Sequence, residues 1–60
     1  MKDIQELAEG VMPSEIFTSI SHDPETKEIC IQYGYVLLSI PEEDYESLVS
    51  LLTEAAQQIG

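Results

Sequence analysis

Residues 15–33 read Glu15-Ile16-Phe17-Thr18-Ser19-Ile20-Ser21-His22-Asp23-Pro24-Glu25-Thr26-Lys27-Glu28-Ile29-Cys30-Ile31-Gln32-Tyr33, two runs of period two around a polar centre. In the first run Ile16, Thr18 and Ile20 alternate with Phe17, Ser19 and Ser21. In the second, Ile29, Ile31 and Tyr33 alternate with Glu28, Cys30 and Gln32. Successive side chains of a strand point to opposite faces, so each run is a strand with one apolar side. Between them Pro24 presets φ for a type I turn, and the Asp23 side chain can accept from the backbone two residues on. The segment is therefore a β-hairpin with its loop over 22–27.

Working outward toward the carboxyl end, Gly34 precedes Tyr35 to Ile40, where Val36, Leu38 and Ile40 again alternate. Gly34 marks either a tight turn centred on Tyr33-Gly34 or a bulge in one long strand. The turn is favoured, because an unbroken strand over 28–40 would exceed the usual length of about 3 to 10 residues. From Pro41 the period becomes helical. Tyr45, Leu48, Val49, Leu52, Ala55, Ala56 and Ile59 gather on one side, while Glu43, Glu46, Ser50, Glu54 and Gln57 face away. Leu51 lies about 90° from the centre of that stripe. Glu42, Glu43 and Asp44 sit where the helix dipole favours anions. Pro41 suits a first turn, and Ser39-Ile40-Pro41-Glu42 can be read as a capping box. This helix, over 41–59, is expected to cover the sheet.

Toward the amino end, Ile4, Leu7, Ala8 and Val11 follow i, i+3, i+4, i+7, the stripe of a short helix within 1–12 that Gly10 and Pro13 terminate. At two to three turns it would have to dock to persist. The expected fold is α+β: a single domain over 1–60, with a three-stranded antiparallel meander over 15–40, a covering carboxyl-terminal helix and a short amino-terminal one.

Twelve acids against two lysines and no arginine give a net charge of −10 on 60 residues. With Lys2 and Lys27 as the whole cationic supply, direct nucleic-acid binding and attraction to anionic membranes are excluded as expectations. The longest apolar run, Tyr35 to Leu38, falls far short of the roughly 20 residues that span a bilayer. Met1 to Gly10 holds three acids and no apolar core of a secretory signal, so the expected location is cytoplasmic. At 43% apolar composition the chain is nonetheless a folding one, although 60 residues support only a small core and self-association would help.

Catalytic chemistry is not encoded in a recognisable arrangement. His22, Asp23 and Glu25 share a loop but supply too few ligands for a metal centre, and they are better read as turn formers. Glu42, Glu43 and Asp44 lie in a solvated first turn, which does not separate carboxylate pKa values. Six serines and one histidine compose no triad or nucleophile elbow. Cys30, the only cysteine, reads as a small strand hydrophobe. Neither an enzyme nor a cofactor is expected.

Two functions remain. The first is an acidic binding module that regulates or inhibits a protein with a basic surface, acting as a nucleic-acid mimic where that surface binds nucleic acid. Its contacts would be Glu42, Glu43, Glu46 and Glu54 on the outer helix face and Asp23, Glu25 and Glu28 at the hairpin. The alternative is an assembly subunit, with a homodimer the favoured form. Its interface would be the second sheet face, where Phe17, Cys30, Tyr35 and Leu37 make the surface more apolar than solvation requires.

Overall fold

The computed structural model describes residues 3–60. Four strands, β1 (Gln5–Val11), β2 (Phe17–Asp23), β3 (Glu28–Tyr33) and β4 (Val36–Pro41), precede one helix, α1 (Glu42–Ile59). The strands form an antiparallel meander in the order β1-β2-β3-β4. The α+β class and the carboxyl-terminal helix agree with the sequence reading. The sheet has four strands, however, not three.

The fourth strand comes from the segment expected to be the amino-terminal helix. Its helical stripe is genuine, but Met12–Ile16 closes a turn: the Met12 N–H donates to the Ile16 carbonyl at 2.9 Å and the Glu15 N–H to the Met12 carbonyl at 2.7 Å. That turn lays residues 5–11 along the open edge of β2. Every ladder bond then satisfies a backbone group, whereas an isolated two-turn helix carrying Gly10 is weak. The first two residues of the expected helix, Met1 and Lys2, lie outside the described residues. An irregularity between Glu6 and Ala8 marks Leu7 as an extra, bulged residue.

The β2–β3 hairpin follows the sequence closely. Asp23 pairs with Glu28, so the strands extend further than expected and the loop is confined to 24–27. The Asp23 carboxylate accepts the Glu25 N–H at 3.1 Å, and the Lys27 N–H returns to the Asp23 carbonyl at 2.8 Å with Lys27 at φ 59°. Between β3 and β4, Tyr33 pairs with Val36 around a two-residue loop, Gly34-Tyr35, one position later than expected. Gly34 has φ 60° and Tyr35 is not among the residues at positive φ, the signature of a type II′ hairpin turn.

Helix α1 forms where expected, but its cap and its placement differ from expectation. Pro41 ends β4 and is itself the N-cap at φ −60°, ψ 143°, with no side-chain cap bond. The capping box is therefore not formed. The Ser39 hydroxyl is 3.4 Å from the Cys30 thiol instead, and the Glu42 N–H is satisfied by the Lys27 carbonyl at 3.0 Å. Strand passes into helix with no intervening loop, whereas a helix returning over its own sheet usually needs a few connecting residues. A six-residue strand and an 18-residue helix placed end to end span about 47 Å. The longest dimension of the molecule is 43 Å, so the helix runs on from the sheet and does not lid it.

Candidate interaction surface

The register sorts the strand side chains onto two faces. Ala8, Ile20, Ile31 and Leu38 form one cross-strand row, flanked by the row His22-Ile29-Ile40 and by the row Gly10-Thr18-Tyr33-Val36. None of the paired strand residues on this face is a carboxylate. Glu6, Glu9, Asp23 and Glu28 all lie on the opposite face, among Ser19, Ser21, Cys30, Gln32 and Ser39.

Among the described residues the helix covers one corner of this face, and Ile20, Ile31 and Ile40 are half-buried. His22 Nε2 and Glu42 Oε2 approach to 2.7 Å, and helix contacts fall chiefly on β3 and β4. Tyr45 and Leu48 are half-buried, and Ile29 is the one buried apolar residue among those described. Beyond Leu48 the stripe is bare. Leu52 is 59% and Ile59 90% exposed, and across the sheet Leu38 remains 46% exposed. The sequence reading packs the helix stripe against the sheet; the structure leaves Leu38 and the stripe beyond Leu48 at the surface. A radius of gyration of 12.7 Å, against about 10 Å for a compact 60-residue chain, expresses the same openness.

Of the residues expected at an oligomer interface, Phe17, Cys30 and Leu37 share one sheet face as expected, but polar side chains stand between them. Phe17 pairs with Val11 at one edge of the acidic face, and Leu37 pairs with Gln32 toward the other, with Ser19 between them. Cys30 sits in a row with Ser21 and Ser39, while Tyr35 stands fully exposed in the β3–β4 turn. An open apolar groove of about 600 Å³ at that end includes Ile16, Phe17, Tyr33, Tyr35 and Val36.

The expected acidic contacts separate into two groups. Glu42 and Glu43 border a shallow hollow of about 330 Å³ with Thr26, Lys27 and Pro41, near Glu28, whose carboxylate accepts from the Thr26 hydroxyl at 3.3 Å. Asp23 is buried and engaged in the loop, so it shapes the hairpin more than it presents charge. Glu46 and Glu54 stand further along the exposed helix, Glu54 about 18 Å from Glu42 along its axis.

One electrostatic feature escaped the sequence. In a regular strand Glu6 and Glu9 would face opposite ways, but the bulge at Leu7 puts them on the same face. A side-chain hydrogen bond with Glu9 raises the Glu6 pKa, assisted by desolvation and by the Glu9 charge. Among the described residues no group of three or more His, Cys, Asp and Glu is arranged to hold a metal ion, and no helix is long and apolar enough to cross a membrane. No protein-family model, curated protein or solved structure matches this chain.

Proposed function

We infer that this chain is a non-catalytic assembly subunit, working through protein–protein association at an apolar surface made of the Ile20-Ile31-Leu38 sheet face and the free stripe of α1. The observation that carries this reading is the helix leaving its own sheet, so that Leu38, Leu52 and Ile59 all face solvent in a 60-residue chain. Exposed apolar surface on that scale, in a chain this small, points to an interaction site. The reading keeps the assembly function expected from sequence but places the interface on the face opposite Phe17, Cys30 and Leu37. Light scattering over a dilution series, with a hydrophobic dye as second probe, tests it. Association at high concentration with dye uptake on dissociation is expected; a chain that is monomeric throughout and never binds dye refutes it.

The segregation of charge supports a second reading. With Glu6, Glu9 and Glu28 on one sheet face and Glu43, Glu46 and Glu54 around the outside of the helix, an assembled protein would present an exterior whose charge is predominantly negative. Such an exterior suits docking onto a basic surface, including one that binds nucleic acid. Capture of a basic partner should then weaken steeply with salt, and salt-independent capture refutes the electrostatic reading.

A further inference from the structure

We propose that the occupant of both uncovered surfaces is a second copy of this chain, in a closed twofold dimer in which each helix lies across the Ile20-Ile31-Leu38 face of its partner's sheet. This rests on the assembly reading above and adds the identity and geometry of the occupant.

The chain carries two surfaces that suit each other and cannot meet within one molecule. With β4 running directly into α1, and the first helical residue held by the Lys27 carbonyl and by His22, the helix has no connection through which to fold back. A twofold axis resolves this at once. The helix of one protomer covers its partner's sheet while the partner's helix covers the first, and neither surface is left to propagate a chain of subunits.

Area, length and charge agree with that pairing. The accessible surface is 4957 Å², whereas a compact chain of 6.7 kDa exposes about 3,900 Å². The excess, about 1,000 Å² per chain, exceeds the roughly 800 Å² per partner of a standard stable interface. The free helical segment 49–59 is about 16 Å long, enough to cross four strands whose outer members lie about 14 Å apart. Bringing two chains of −10 together would fail if carboxylates entered the seam. The strand carboxylates occupy the other face and Glu54 points away from the stripe, while Glu42, the carboxylate that reaches this face, is paired with His22 at its corner.

The test uses the full chain in a Cys30→Ser background. One preparation carries Leu38→Cys on the sheet face and another, with a tag of different mass, carries Leu52→Cys on the helix. They are mixed, allowed to exchange, and joined with a short bis-maleimide. A hetero-linked species at least tenfold above that from a Gln32→Cys control on the acidic face is the expected result. If Leu38→Cys lowers helicity by circular dichroism, the more exposed Val36→Cys takes its place. Leu52-to-Leu52 linkage as the main product, or equal linkage from Gln32→Cys, overturns the crossed arrangement while leaving assembly intact. Unsubstituted chain that stays at 6.7 kDa yet binds dye overturns the second copy as occupant and leaves the surface to a different protein. Unsubstituted chain at that mass that excludes dye overturns both readings.

Discussion

Replacing Gly34 by alanine tests the chain's tightest backbone requirement. Gly34 occupies the first central position of the β3–β4 turn at φ 60°, a conformation that costs an L-residue about 1–2 kcal/mol. An added Cβ would also stand 3.1 Å from the Ile16 Cγ2 methyl, closer than ordinary contact, so Ile16 must shift by a few tenths of an ångström. Together these put the loss near 2 kcal/mol, a fall in melting temperature of roughly 8–16 °C for a domain this small. Gly10→Ala is the internal control, since an added Cβ there meets nothing within 4 Å and Gly10 is not at positive φ. It should hold or gain up to about 1 kcal/mol through the less flexible unfolded chain. Thermal melts followed by circular dichroism at one fixed protein concentration read both. A Gly34→Ala melt within about 4 °C of the parent, or a Gly10→Ala loss as large as that at Gly34, would refute the assignment of the turn.

Three further outcomes are expected. Leu52→Ala should weaken dimerisation: burying the exposed part of a leucine is worth roughly 1–2 kcal/mol, counted twice by symmetry, or about 30- to 700-fold in Kd by sedimentation equilibrium, while Glu54→Gln leaves Kd unchanged or lower. Thr18→Val should raise the urea midpoint by an amount worth about 1 kcal/mol, because the Thr18 hydroxyl is buried without a hydrogen-bond partner; an unchanged midpoint would contradict that cost. Glu9→Gln should return the Glu6 titration, followed by carboxyl-carbon NMR, toward the ordinary glutamate range. A raised carboxyl pKa adds stability below the unfolded value and loses it as pH rises through the folded one, so the parent should gain stability over Glu9→Gln as pH falls through the Glu6 titration.

The hairpin over 17–33 was legible because its information is local. Alternation, Pro24, and an Asp23 able to bond two residues ahead all act within a few positions, and the Asp23-to-Glu25 bond forms as expected. Helix α1 was equally legible from its stripe and its first-turn acids. The strand Gln5–Val11 was not, because Leu7, Ala8 and Val11, with Ile4 just before them, fit a helix as well as an edge strand, and the choice belongs to the vacant edge of β2. Of the candidate contacts, Asp23 became a structural residue, and Phe17, Cys30 and Leu37 share a face with polar side chains between them, since register decides neighbours and period two decides only the face.

What the sequence by itself determined is the α+β composition, the hairpin, the helix and the strongly acidic character of the chain. Only the tertiary structure decided where the helix goes. An amphipathic stripe states that something must cover it, but not what. That depends on whether the chain can turn back on itself, and the direct passage from Pro41 in β4 to Glu42 in α1 leaves no residue with which to turn.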